Sequence, residues 1–403
     1  TLNGLGTNPN PILTLQTTTT RGWTDTNKNF IPDCDLSNRG LNGECQPIQQ
    51  NAFGSTNASA LYDPDVLTGW GHRPANWEFS GGVQQQLPWR MSVDVAYFRR
   101  IWENFEVVDN TQVAANEFQA FNMTVPTDPR LPTSGQQLTY YNVIPTKLGA
   151  QTLYHSLSDK YGNQYEHWNG VDIVLNGRLQ NGLRFQAGLS TGRSSADNCA
   201  VVAQLPEMLT FGSVNAAGLA TQQPGAQLAQ QFCHEVEPWL TTFKAFESYT
   251  IPKIDVQIAA TFRSLPGIGG GGNSIASGLA ANFVATNAYL ATNSNLGRLL
   301  TGTATPGQST TLQIADPASV YLDRDNELDL RFGKVVRYRG VRGTVNLDLF
   351  NALNRSTILT ANAAYAVAAG ANGTFNLSNN VWSAPTLITN PRMLKVSLTL
   401  DLR

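Results

Sequence analysis

Apolar and polar residues alternate with a period of two along much of this chain. In IDVQIAATFR, Ile254, Val256, Ile258, Ala260 and Phe262 fall on one face, and Asp255, Gln257, Thr261 and Arg263 fall on the other. WEFSGGVQQQL sets Trp77, Phe79 and Val83 against Glu78, Ser80, Gln84 and Gln86, and MSVDVAYF sets Met91, Val93, Val95 and Tyr97 against Ser92 and Asp94. VDIVLNGRL, LRFQAGLSTG, ELDLRF and VNLDLF repeat the pattern. So does LKVSLTLDLR, with Leu394, Val396, Leu398, Leu400 and Leu402 opposite Lys395, Ser397, Thr399, Asp401 and Arg403. Side chains of a strand point alternately to its two faces, so these runs predict strands that are oily on one face and wet on the other. Helical periodicity is scarce, and the predicted class is all-β.

A soluble sandwich would turn the oily face to a second sheet, whereas an outer-membrane barrel would turn it to lipid and the wet face to its lumen. Three features favour an antiparallel transmembrane β-barrel. Its strands reach about ten residues or more, and by alternation there are about 12–16 of them. Short turns punctuate them at Asn181-Gly182, Pro88 and Pro252. Long connections, Gln112 to Gln136, Asn198 to Glu237 and Pro266 to Gln308, are expected to be irregular extracellular loops. Trp77, Trp89, Tyr97, Trp168, Trp239 and Tyr338 fall near strand ends, where either lipid-boundary girdles or ordinary core aromatics occur.

Composition narrows the function. Lys and Arg total 27 against 29 Asp and Glu, a formal net charge of −2, which argues against nucleic acid as the main partner. No apolar run is long enough for a transmembrane helix, and TLNGLGTNPNPILTLQ has neither the basic nor the apolar region of a signal peptide. The four cysteines lie in two local pairs, Cys34 with Cys45 and Cys199 with Cys233, neither with the Cys-x-x-Cys spacing of zinc or redox sites. Two disulfides, implying an extracytoplasmic location, are expected; four buried thiols are the alternative.

Several stretches resemble the C-terminal barrel of TonB-dependent outer-membrane receptors, especially the Oar-like group: YDPDVLTGWGHRPANWEFSGGVQQQL, SVDVAYFRR, DPRLP, YEHWNGVDIVLNGRLQNGLRFQAGLSTGRSSADNC, YTIPKIDVQIAATFRSLPG and VNLDLFNALN. The likeness runs from about Asp25 to the end of the chain and rests on strand and turn patterns. Asp348 to Asn354, DLFNALN, is similar to a penultimate-region signature of such receptors, and the last strand is similar to an assembly signal, although it ends in Leu402-Arg403 rather than an aromatic residue. The resemblance implies that residues 1–403 form the C-terminal barrel portion of a larger receptor. That receptor would sit in the outer membrane of a Gram-negative-type bacterium and take up a scarce ligand with energy delivered through TonB. The family's plug domain and TonB-contacting box have no counterpart in the sequence. Lipid, the TonB complex, an unidentified ligand, and the missing N-terminal part or other copies are the partners expected. The alternative is an adhesive or assembly-forming surface protein without transport, and a third reading is a soluble secreted β-sandwich binding protein.

Two short runs suggest sites. In TDTNKNFIPDCDLSNRGLNGEC, residues 24–45, the side chains of Asp25, Asn27, Asn29, Asp33 and Asp35 and the carbonyl of Ile31 supply hard oxygens at the short intervals of a calcium loop. Phe30 stands where such loops place glycine and no Glu closes an EF-hand, so a polar turn stays open beside calcium. Gly267 to Gly272 contains a formal G-x-G-x-x-G without the strand-helix context of a dinucleotide site, and reads as a linker. His72, His155, His167 and His234 are scattered, and no nucleophile elbow occurs. No enzyme is expected.

Overall fold

The computed structural model describes residues 17–48, 53–54, 60–147, 150, 152–210, 226–267, 278–301, 308–338, 341–365 and 380–401. The alternating runs assemble into one antiparallel meander of nine strands in chain order. These are β1 (Ala75–Leu87), β2 (Met91–Glu103), β3 (Tyr165–Arg178), β4 (Arg184–Asp197), β5 (Leu240–Ile251), β6 (Val256–Gly267), β7 (Leu322–Tyr338), β8 (Val341–Phe350) and β9 (Met393–Asp401). A short strand, His234–Val236, pairs with the end of β4 almost in line with β5. The all-β antiparallel class is as expected, and β1 and β9 do not pair with each other among the described residues. The strand total in the meander falls below the expected 12–16 because several shorter strands belong elsewhere.

Register carries the alternation across the sheet. Val95 faces Ile173, Ile173 faces Leu189 and Leu189 faces Phe243. On the other side of the meander Ile258 faces Phe332, Phe332 faces Leu347 and Leu347 faces Val396. One largely apolar face results, interrupted by Glu247 on β5 and by polar residues toward the long connections; a slip of one residue anywhere would send every following apolar side chain to the wrong side. Ile254 is an exception to the expected pattern: it lies in the turn before β6, which begins at Val256.

All tight connections lie at one end of the meander. β1 turns into β2 through Pro88–Arg90, where Trp89 and Arg90 have φ of 61° and 62°. β3 and β4 are joined through Gly182 at φ 91°, a backbone state that glycine reaches without a Cβ clash. Residues 252–255 join β5 to β6, ending on Asp255 at φ 50°. Every connection at the opposite end is long: residues 104–164, 198–239, 268–321 and 351–392.

Among their described residues those long connections carry regular structure, which corrects the expectation of irregular loops. The first forms a hairpin of Phe118–Thr124 and Gln137–Val143, and its strands Glu106–Asn110 and Leu153–Leu157 join Ala60–Tyr62 in a small sheet. The third forms a hairpin of Asn282–Thr286 and Ser309–Gln313, extended by Ala364–Tyr365 from the fourth. Among the described residues three short α-helices, α1 (Pro64–Leu67), α2 (Cys199–Gln204) and α3 (Asn287–Asn293), add to the layer. Its core joins Phe121, Met123 and Tyr140 to Phe283, Leu290, Leu312, Tyr365 and Trp382, all nearly inaccessible to solvent. The main buried core therefore sits in the connections, beside the meander's end.

Buried polar handles lock this core across distant parts of the chain. Tyr140 Oη donates to the carbonyl of Gln313 (2.8 Å), Tyr289 Oη to that of Thr124 (2.9 Å), and Trp382 Nε1 to that of Ala280 (2.8 Å). Buried hydroxyl and indole groups need such partners, because an unmet one costs about 1–3 kcal/mol.

Candidate functional site

The two faces of the meander differ in the chemistry they present. On the apolar face large side chains are exposed, with Val83 at 70% and Val396 at 68%, and Trp77, Phe79, Phe332, Leu394 and Leu398 beside them. The polar face carries charges in pairs: Arg331 Nε donates to Asp348 Oδ1 (2.5 Å), and Arg263 is paired with both Glu327 and Asp325. Trp168 also lies on the polar face, where its ring covers the paired Gly170 and Gly192 so closely that a Cβ at either would overlap it. Trp77 and Tyr97 lie on the opposite, apolar face, and Trp89 is exposed in a tight turn. The side chain of Tyr338 lies outside the described residues.

Where the meander meets the connections, a cleft of about 510 Å³ opens between the end of β2 and residues 157–164. Trp102, Glu103, Asn104, Phe105, Asp159 and Gln164 are among its lining residues. An aromatic wall with amides and carboxylates suits a polar ligand that also has an apolar surface.

Charged groups cluster in the connections behind this cleft. Asp63 caps α1 by accepting from Asp65 N (3.0 Å) and also receives Lys160 Nζ (2.6 Å) and Ser156 Oγ (3.1 Å). The lysine hydrogen bond holds the Asp63 carboxyl far below the usual carboxylate range, and it holds the Lys160 ammonium above its usual range in return. Nearby His155 Nδ1 and Glu106 Oε1 are 2.7 Å apart, with both side chains mostly buried. Glu207 is buried where residues 206–209 meet the Glu106–Asn110 strand, and its Oε1 accepts from Asn110 N (3.2 Å). Burial, with some repulsion from Asp109, pushes the Glu207 carboxyl up to about 7. Asp109 is itself raised by burial, although Tyr161 Oη donates to it (3.0 Å). Sequence patterning offered no signal for this cluster, because Asp63 before β1, Glu106, Asp109, His155 and Lys160 in the first connection, and Glu207 in the second come together only on folding.

The loop at residues 24–45 gathers most of its expected oxygens. Asp25 Oδ2 accepts from Phe30 N (2.9 Å), Asn27 Oδ1 from Asn29 N (3.0 Å), and Asn29 Oδ1 from Ile31 N (2.7 Å). Asp33 Oδ2 receives the side-chain amides of Asn27 (2.5 Å) and Asn29 (3.2 Å). Asp35 stands apart, its carboxylate capping Ser37. Glu44, overlooked in the sequence because it lies eleven residues beyond Asp33, receives Asp33 N (3.3 Å) and Thr26 N (2.7 Å). Lys28 and Phe30 both take φ of 61°, so Phe30 adopts the left-handed backbone that calcium loops usually give to glycine. Among the described residues no group of three or more His, Cys, Asp or Glu stands close enough together to hold a metal ion.

Cys34 is joined to Cys45 and Cys199 to Cys233, with Cα separations of 5.8 Å and 4.9 Å. The first bridge closes the loop just described, and the second ties α2 to the start of His234–Val236. The DLFNALN run ends in a clasp. Asn351, at φ 46°, donates through Nδ2 to the carbonyls of Arg355 (2.9 Å) and Asn390 (2.8 Å), and Asn354 Oδ1 accepts from Arg392 N (3.2 Å). These two asparagines draw together the ends of the connection between β8 and β9. Apart from Gly267, the glycine run through Gly272 lies outside the described residues, as do Leu402 and Arg403.

No protein-family model matches the chain, and no curated protein matches it. Among solved structures the chain is similar to the outer membrane transporter YddB from Escherichia coli, at 8% sequence identity and a TM-score of 0.35. That likeness covers 81% of this chain and 32% of the other, so the chain spans about a third of the transporter's length.

Proposed function

We propose that this chain forms part of an outer-membrane β-barrel, with its apolar face in lipid, its long connections on the cell surface and its tight turns in the periplasm. The observation that carries this reading is the exposed apolar face, continuous in register over nine strands and backed by a charged one. In water each large side chain on that face forgoes about 1.5–3 kcal/mol relative to burial, and contiguous patches beyond a few hundred Å² mark an interaction surface. Lipid removes that cost without a second sheet. Strand length supports the same reading, since strands of about 9–11 residues tilted by about 45° cross the hydrocarbon core and β1 to β6 are at least that long.

Within that reading the resemblance to TonB-dependent receptors supplies the finer role: uptake of an unidentified ligand, captured on the surface layer and released inward with energy relayed by TonB. No chemical step is part of it. The edges of β1 and β9, unpaired among the described residues, favour one rival, a surface protein that assembles by adding strands from other copies. Fractionation tests both. The expected result is recovery from outer membranes only with detergent, as a species that does not assemble with itself. Aqueous extraction overturns the membrane reading, and a detergent-stable homo-oligomer transfers the lead to the assembly reading.

A further inference from the structure

We propose that the loop-side margin of the apolar face carries a binding site for the phosphate of an outer-leaflet lipid, built on Arg99, Asn169 and Arg193. This rests on the membrane reading above. The three residues occupy one cross-strand row, Arg99 on β2 facing Asn169 on β3 and Asn169 facing Arg193 on β4. Directly opposite residues point to the same face, so both guanidinium groups emerge on the apolar side, next to Val95, Tyr97 and Val171. Neighbouring strands lie about 4.8 Å apart, which sets the two arginine backbones about 10 Å from each other, a span that two long side chains close around one phosphate.

The row is held in place but left short of anionic partners. Asn169 Oδ1 accepts from Tyr97 Oη (2.8 Å) and from Arg99 (3.3 Å), leaving its own amide hydrogens without a protein partner among the described residues. Arg193 lies 5.3 Å from the ring centre of Trp239, a stacking contact that orients the guanidinium and uses none of its donors. Neither arginine forms an ion pair among the described residues. The outward carboxylate on β2, Glu103, lies four residues closer to the connections and accepts instead from Trp77 Nε1 (3.0 Å). Two exposed cations at the edge of a lipid-facing surface are costly unless headgroup charge meets them, and arginine matches phosphate oxygens bidentately. Phe79, Val95 and Val171, beside and below the row, suit the acyl chains of the same molecule. That continuity commits the site to a lipid rather than a free anion.

The test uses the full chain with two vesicle types: phosphatidylcholine alone, and phosphatidylcholine with a minor fraction of diphosphorylated lipid A. Failure to bind either vesicle removes the membrane reading itself. Given binding to both, the parent should prefer lipid A vesicles, and Arg99→Gln with Arg193→Gln should lose that preference by about tenfold while still binding phosphatidylcholine. Lys253→Gln, at the tight-turn end, should keep it. The inference is overturned if the double variant stays within about twofold of the parent, if Lys253→Gln loses as much, or if inorganic phosphate competes as well as the lipid does.

Discussion

The meander and the layer of long connections solve opposite problems with the same kind of strand. In the meander, alternating side chains leave large apolar groups exposed, so its order comes from backbone ladders and register. In the connections, shorter strands bring Phe121, Met123, Phe283 and Leu312 into a closed core with little or no exposure. An apolar residue thus has a different energetic meaning in each region. In the layer it fills a volume, and in the meander it presents a surface to whatever solvent lies outside.

Equal truncations expose that difference most strongly. Phe121→Ala should destabilise the surface layer by about 3–5 kcal/mol, the usual cost of removing a buried aromatic ring. Phe79→Ala, on the apolar face, should cost under about 1 kcal/mol in detergent, because the micelle adapts to the missing ring. Thermal unfolding of both variants in one detergent checks this, with near-ultraviolet circular dichroism reporting the layer. Equal losses would break the comparison and place the true core of the molecule elsewhere.

The same difference explains what could be read from the sequence. The period of two exposed eight of the nine long strands, since a sheet that meets two environments must sort its residues by face. β5 was the least visible: Leu240, Thr242, Lys244 and Phe246 mix chemistry on one face. The surface layer was illegible because its strands are short and its core draws single residues from remote segments, as Trp382 does in reaching Ala280. Length then made these connections look like loops. Candidate sites followed the same rule. Asp25, Asn27, Asn29 and Asp33 were visible as a local cluster, whereas Glu44, Glu207 and the Arg99–Asn169–Arg193 row depend on folding to bring them together.

Acidity separates the regions next. Glu207 is raised from the ordinary carboxylate range to about 7 by burial in the surface layer. The folded state then binds its proton more tightly than the unfolded state. Its contribution to stability is therefore complete below about pH 4.5 and is lost as pH rises through about 7, by at most about 3 kcal/mol. Glu207→Gln should flatten the fall in melting temperature of the layer between pH 5 and pH 8. A parent curve that rises over that interval, or a variant as steep as the parent, would remove Glu207 as a source of pH dependence.

A junction between the regions gives a smaller effect. Asn351→Ala places a residue with a Cβ, and without the asparagine's local hydrogen bonding, at φ 46°, and it deletes two side-chain bonds that draw the ends of the β8–β9 connection together. The expected cost is about 2 kcal/mol, with Asn351→Gly recovering the backbone part of it. Hydrogen exchange should show the loss in residues 355–365 and 385–392 before β8 itself. Loss confined to β8 would mean that the asparagine supports the strand rather than the connection.

The loop at residues 24–45 is the smallest test, since its own hydrogen bonds already satisfy much of the proposed calcium site. Those bonds place Asp25, Asn27, Asn29 and Asp33 in one turn, with Asp35 outside it. Calcium would have to replace the amide donors that now occupy those oxygens. Binding to the folded loop alone stabilises it by about 1.4 kcal/mol at ten times the dissociation constant. The expected outcome is a calcium-dependent rise in melting temperature that Asp25→Ala with Asp33→Ala abolishes and Asp35→Ala leaves intact. If calcium leaves the parent unchanged, the disulfide between Cys34 and Cys45 and the turn's hydrogen bonds suffice to hold it.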